Sequence, residues 1–109
     1  MGQFEMLEYI DARGRNLFRA WMAGLDRSVQ QRVQARVRRM SLGNFGKDRH
    51  LGSGLHEAKL DLGPGYRIYY GIYEGKLILL LCGGDKSSQR KDITAAHAFW
   101  RAYPEGGKQ

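Results

Sequence analysis

The sequence predicts an α+β fold: a twisted, mainly antiparallel sheet with a helical hairpin on one face, in the order β-αα-βββ-α. A length of 109 residues fits one compact domain, so residues 1–109 are expected to form a single unit. Apolar residues recur with a helical period in the first part of the chain and with the period of strands in the second. Glycine-rich turns separate the strand-like segments.

The first part of the chain predicts a strand and two helices. Phe4–Ile10 mixes apolar and polar residues and is expected to form the first strand. An apolar stripe from Leu17 to Leu25 predicts a helix, and Asp26 can cap a second helix that runs to about Leu42. The second helix has an apolar residue at every turn, at Val29, Val33, Val37 and Met40. Two helices joined this tightly are expected to form an antiparallel hairpin.

The second part of the chain predicts a loop and then a β-hairpin. Gly43–Gly54 contains four glycines and is expected to be a long loop. His56–Leu62 and Tyr66–Tyr73 read as two strands joined by the turn Gly63-Pro64-Gly65.

The chain is expected to close with a buried strand and a helix. Lys76–Cys82 is apolar without alternation, which is typical of a strand covered on both faces. Asp92–Tyr103 predicts a helix that stops before Pro104. The apolar run Leu77–Cys82 is far shorter than the roughly 20 residues needed to cross a bilayer, so no membrane partner is expected.

The predicted hairpin alternates in character, and alternate residues of a strand face opposite ways. The even positions are largely apolar: Ala58, Leu60, Leu62, Tyr66, Ile68, Tyr70 and Ile72. The odd positions are charged or phenolic: Glu57, Lys59, Asp61, Arg67, Tyr69 and Tyr73. One face should therefore pack on the helices, while the other, with Arg67 pointing away from the core, is suited to a phosphate backbone and stacked bases.

The charge of the chain points to polyanions or acidic proteins as partners. Its formal net charge is +7 and its pI is about 9.9. A basic run on the second helix continues to Lys47 with no acid between Asp26 and Asp48. Within it, Arg32, Arg36 and Arg39 share one helix face. That face is either simply solvated or a contact surface for RNA or an acidic partner, and the lack of alternating charge favours contact.

Several other functions fit the sequence poorly. One cysteine excludes an internal disulfide, and the N-terminus has no signal-peptide pattern, so the cytoplasm is the expected location. Gly83–Ser88 lacks the glycine spacing of a P-loop, and the two serines in it have no evident His/Asp partners for acyl transfer. The three histidines (His50, His56 and His97) show no metal-ligand spacing, so neither a metal nor another cofactor is expected.

Two strings of residues resemble one known family. They are Gly63-Pro64-Gly65-Tyr66-Arg67-Ile68-Tyr69-Tyr70, and Leu81–Gln89 followed by Lys91-Asp92-Ile93; Gly43–Lys47 and Gly52–Glu57 add to them. Together they resemble the RelE/ParE superfamily of type II toxins, in the HigB-like "addiction module killer protein" branch. The resemblance runs from about Phe4 to Trp100.

The resemblance implies a RelE-like sheet with a helical hairpin, and a bacterial toxin neutralised by an antitoxin encoded nearby, often a helix-turn-helix protein. Many members cut mRNA on the ribosome as metal-independent endoribonucleases, and this branch is presumed to act on RNA. Members of the ParE branch instead bind DNA gyrase and cleave nothing. A toxin that has lost activity and serves as a corepressor is a further alternative.

The resemblance also implies site residues. Lys59, Arg67 and Lys86 match the basic residues that act on the phosphate in RelE-like members. Asp92 stands where RelE itself has a tyrosine, so the base is either Asp92 or Glu57, which shares a sheet face with Lys59. The residues expected to contact RNA are Arg32, Arg36, Arg39, Lys47, Tyr69 and Lys91.

Overall fold

The computed structural model describes residues 3–106, with side chains up to Tyr103. Its strands are β1 (Glu5–Glu8), β2 (Asp48–Gly52), β3 (Leu55–Leu60), β4 (Tyr66–Tyr73) and β5 (Leu77–Gly84). Its helices are α1 (Leu17–Ala23), α2 (Arg27–Ser41) and α3 (Gln89–Gly106), and one turn of 3-10 helix, Lys86–Ser88, leads into α3. The predicted α+β class is confirmed in its coarse form, as a five-stranded mixed sheet with three helices.

The sheet has the strand order β1-β5-β4-β3-β2. β1 runs parallel to β5, and the other neighbours are antiparallel. The prediction of a continuous loop over Gly43–Gly54 is wrong, because Asp48–Gly52 pairs with β3 as an edge strand. This strand is short, polar and half exposed, as edge strands of natural sheets commonly are. It therefore lacks the apolar alternation that identifies a buried strand.

The helical hairpin packs on one face of the sheet, as the sequence predicts. Phe18 and Met22 of α1 and Val29, Val33 and Met40 of α2 are buried in the core on this face. The even-numbered residues of β3 and β4 meet them there, at Ala58, Leu60, Ile68 and Tyr70. Burial of this continuous apolar surface holds the hairpin against the sheet.

Helix α3 covers the other face, so the expectation of an open polar face is wrong over much of its area. Ala96 of α3 packs with Leu55, Tyr69, Leu79 and Leu81 in a second core cluster. The sheet is thus sandwiched between helices, which explains why β5 is apolar on both faces.

Helix α3 is longer than predicted at both ends. It begins at Gln89, directly after the 3-10 turn, and it continues to Gly106, so the predicted stop before Pro104 is wrong. A proline removes one backbone donor and disfavours the preceding helical residue, but it does not always end a helix. Among residues 3–106, no helix combines the length and the apolar character needed to cross a bilayer.

Two tryptophans pack directly on glycines of the sheet. A Cβ added at Gly71 would lie 2.2 Å from the Trp100 ring, and one added at Gly83 would lie 2.1 Å from the Trp21 ring. On each face of the sheet, a helix therefore brings a tryptophan ring close to a strand at a position where only glycine leaves room.

We expect Gly71→Ala to lower the free energy of unfolding by about 1–3 kcal/mol, because the added methyl group displaces the Trp100 indole. Gly24→Ala is the matched control: Gly24 has an ordinary φ of −87°, and its Cβ would be 3.6 Å from the nearest atom. Urea denaturation of both variants measures the difference, and equal midpoints would contradict this account of the Trp100 contact.

Candidate functional site

The β3–β4 hairpin brings basic side chains together. Lys59 of β3 is paired directly with Arg67 of β4, as the sequence predicts. Two open depressions of the surface meet at these two residues. We call the combined depression the Arg67 groove; it is lined by Lys47, Asp48, Arg49, Glu57, Lys59, Asp61, Leu62, Gly63, Pro64, Gly65, Arg67, Lys86 and Gln89.

The glycine-rich turn between these strands orients Arg67. The Arg67 Nη1 donates a hydrogen bond of 2.6 Å to the Gly65 carbonyl oxygen. Gly65 has a φ of +78°, and a Cβ there would lie 3.0 Å from that same Nη1. Glycine is thus required both for the left-handed turn and for the close approach of the guanidinium.

Lys86 reaches the groove from the end of β5. Asp85 caps the 3-10 turn by accepting hydrogen bonds from the backbone N–H groups of Ser87 and Ser88, while the Ser88 hydroxyl accepts from the Asp85 N–H. The backbone N–H of Lys86 also donates to the Pro64 carbonyl oxygen, at 3.2 Å. The string Gly84–Ser88 therefore has a local structural role, which is to place Lys86 beside the β3–β4 turn.

A buried carboxylate lies beside these cations. Glu57 is only 5% exposed, and its Oε2 accepts hydrogen bonds from the Tyr69 hydroxyl at 2.8 Å and from Gln89 Nε2 at 2.9 Å. Its Oε1 lies 3.2 Å from Nε of Arg49, whose side chain is mostly exposed. Oε1 is thus the oxygen that an incoming hydroxyl group could reach by displacing an exposed side chain.

Arg67 is buried as well: it points away from the core on the helical-hairpin side, as expected, but the expectation that it lies on an open face is wrong. It is 5% exposed, and its Nε lies 3.6 Å from Glu57 Oε2, which is beyond hydrogen-bond range. This Nε has no hydrogen-bond partner among the described residues. A buried donor without a partner is uncommon in proteins, and here it borders a groove that an anion could enter.

Tyr69 does not face the solvent, which corrects its expected role in stacking on bases. It is fully buried beneath α3, and its hydroxyl donates to Glu57. Burial, together with the hydrogen bond to Glu57, raises the pKa of Tyr69 well above its ordinary value. The phenol therefore stays protonated and orients the carboxylate.

Arg36 is also buried, so it does not share an exposed face with Arg32 and Arg39 as predicted. It donates hydrogen bonds to the carbonyl oxygens of Lys47 and Lys59 at 2.6 and 2.8 Å, and to that of Phe45 at 3.3 Å. Desolvation lowers the pKa of Arg36. This arginine is a structural link between α2, the Phe45–Lys47 segment and β3.

The remaining predicted residues lie in different places. Lys47 is exposed in the Arg67 groove and pairs with Asp61 at 2.8 Å. Arg32, Arg39 and Lys91 are exposed outside the lining of the groove. Asp92 also lies outside that lining, and it accepts a hydrogen bond from the Ser88 hydroxyl at 2.5 Å. Of the two predicted proton carriers, Glu57 is therefore the one in the groove.

Comparison with known proteins identifies one relative. A protein of Haemophilus influenzae, described as an uncharacterized protein, is 41% identical over 80 residues, which cover 72% of this chain and 81% of that protein. The chain belongs to the family of this Haemophilus protein. No family model matches the chain. No solved structure shows significant similarity to it.

Sequence reasoning missed Arg49 and Gln89, the two groove side chains that contact the Glu57 carboxylate from β2 and α3. Arg49 pairs directly with Glu57 across the β2–β3 ladder, so recognising β2 as a strand would have placed it. Gln89 contacts Glu57 from the first residue of α3, far away in sequence. Nothing in the local pattern around Gln89 signals that contact.

Proposed function

We propose that the protein is a RelE-like type II toxin that cleaves mRNA on the ribosome as a metal-independent endoribonuclease. The observation that carries the proposal is the buried Glu57 carboxylate beside Arg67 and Lys59, with Lys86 entering the same groove. The two strings that resemble the RelE/ParE superfamily contribute two of these residues, Arg67 and Lys86. The helical hairpin on one sheet face is compatible with the RelE arrangement.

The chemistry requires a base, charge stabilisation and an acid. Glu57 takes the proton from a ribose 2′-hydroxyl, whose oxygen then attacks the adjacent phosphorus. Arg67 and Lys59 neutralise the charge that develops on the phosphate oxygens. The bond between phosphorus and the 5′-oxygen then breaks, and a lysine ammonium donates a proton to this oxygen as it leaves. The other RNA fragment ends in a 2′,3′-cyclic phosphate. Lys86 is the exposed lysine at the other end of the groove.

The proposed partners are the ribosome with its mRNA and a cognate antitoxin, in a cytoplasmic setting. The groove concentrates cations that a partner can neutralise, and the α2 surface adds Arg32 and Arg39. An antitoxin segment with carboxylates would compensate the desolvation of these groups. A small helix-turn-helix protein encoded beside this chain would fit that role.

The test is induction of the protein in bacteria, followed by mapping of mRNA 5′ ends. We expect growth arrest, and new 5′ ends within translated codons that are absent when Glu57→Gln is induced at the same level. Growth arrest without new 5′ ends, together with loss of gyrase supercoiling activity, would assign the protein to the gyrase-binding alternative. Normal growth at high soluble expression would contradict an active toxin and favour a corepressor.

A further inference from the structure

Three potential metal ligands converge on the face of β2 and β3 that lies opposite the Glu57 carboxylate. Asp48 and His50 are two residues apart on β2, so both project to the same face. His56 of β3 is paired directly with His50. One ligand atom from each of Asp48, His50 and His56 lies within 4.8 Å of the other two.

These distances suit a small transition-metal ion after a modest adjustment. Ligand atoms about 2.0–2.1 Å from a tetrahedral zinc ion lie roughly 3.4 Å from one another. The His50 and His56 rings have centroids 4.2 Å apart, and His56 Nδ1 already lies 2.9 Å from Asp48 Oδ2. His50 is exposed, so rotation of its side chain can close the remaining gap.

The buried Tyr70 side chain orients two of the three ligands, Asp48 and His56. The Tyr70 hydroxyl donates a hydrogen bond to Asp48 Oδ1, which leaves Oδ2 directed toward His56. The Tyr70 ring stacks on His56, with centroids 5.1 Å apart and planes 16° apart. Partners of this kind, which fix the orientation of the ligands, characterise protein metal sites.

The neighbouring cations are engaged elsewhere. Arg49 pairs with Glu57 on the other face of the sheet, and Lys47 pairs with Asp61. Arg36 is hydrogen-bonded to three backbone carbonyl oxygens. The Asp48 carboxylate contacts Tyr70 and His56 but, within residues 3–106, it pairs with no lysine or arginine, so its negative charge can offset the charge of a divalent ion.

We propose that Asp48, His50 and His56 form a binding site for a divalent transition-metal ion, with Zn²⁺ as the best fit. Two imidazoles and one carboxylate are ligands that zinc accepts, and the exposed side of His50 leaves the fourth position to water. The ion joins the edge strand β2 to β3 and so fixes the strand that carries Arg49. It takes no part in the chemistry proposed for the Glu57 carboxylate, because the Glu57 side chain projects to the other face of the β2–β3 ladder; of the three ligands, Asp48 alone also borders the Arg67 groove.

The test is calorimetric titration of the full chain, made without a histidine tag, with Zn²⁺ alone. We expect the parent protein to bind one equivalent and its thermal midpoint to rise with zinc. His50→Ala removes an exposed ligand without disturbing the core. Loss of a residue that only orients a ligand weakens metal affinity by up to about 100-fold, so loss of the His50 ligand itself should weaken zinc affinity by more than that. Tyr70→Phe should weaken it by about 10–100-fold.

His97→Ala is the matched control, because it removes a histidine of α3 that is not in this cluster. It should bind Zn²⁺ as the parent does, and Co²⁺ should give the parent and this control the same tetrahedral visible spectrum. Circular dichroism establishes that each variant is folded. The proposal is overturned if the parent binds no zinc stoichiometrically, or if folded His50→Ala binds it as tightly as the parent.

Discussion

Replacing Glu57 with glutamine is expected to lower the rate of mRNA cleavage by about 10²–10⁴-fold, the usual contribution of a positioned general base. Glutamine has the same shape and can still accept a hydrogen bond from Tyr69, but it cannot take a proton from a 2′-hydroxyl. Cleavage of ribosome-bound mRNA by purified protein, assayed below the thermal midpoint, measures the change.

Asp92→Asn tests which of the two carboxylates, Glu57 or Asp92, acts as the general base. Asp92 is a carboxylate on α3 that bonds to Ser88 outside the groove, so its replacement should change the cleavage rate little. A rate that falls for Asp92→Asn and not for Glu57→Gln would assign the base to Asp92. Thermal melts of both variants are needed, because Glu57→Gln also removes the counter-charge of the buried Arg67 and should lower stability.

The second large effect is expected at Arg67. Arg67→Lys keeps the positive charge but loses the planar fork that can hold two phosphate oxygens at once. Loss of one such transition-state contact costs about 3 kcal/mol, so cleavage should fall by roughly 100-fold or more. Lysine is preferable to alanine here, because Arg67 is buried and alanine would leave a cavity and remove a positive charge beside the buried Glu57 carboxylate.

Arg13→Lys is the control for this substitution, since Arg13 is an exposed arginine in the segment between β1 and α1. It should cleave at the parent rate. A folded Arg67→Lys variant that also cleaves at the parent rate would exclude phosphate binding by the Arg67 fork. Growth arrest on induction provides an independent measurement for both variants.

The parts of the site that could be predicted are those fixed by strand parity. Alternation along β3 and β4 placed Lys59 beside Arg67, and the turn chemistry of Gly63–Gly65 fixed the pairing of the two strands. Both inferences depend only on short-range geometry, which the sequence encodes directly. The packing of the helical hairpin on the even-numbered face follows from the same alternation.

The parts that could not be predicted depend on contacts between distant segments. Parity alone placed Glu57 on a polar face, but it could not show that α3 covers part of that face and buries the carboxylate. Arg36 lies among exposed arginines in sequence, and only the approach of the Phe45–Lys47 carbonyl groups gives it a buried role. His50 and His56 became neighbours only once β2 was known to be a strand.

The parallel pairing of β1 with β5 has a consequence for the order in which the chain folds. Glu5 pairs with Leu77 and Glu8 with Leu80, so the first strand to be synthesised must wait for the last of the five strands. Closing so long a loop is entropically costly, and contacts this distant in sequence slow folding. The local β3–β4 and β4–β5 hairpins can form before β1 docks. Until β5 has emerged from the ribosome, the nascent chain therefore carries an unpaired β1 segment and an unpaired edge of β4.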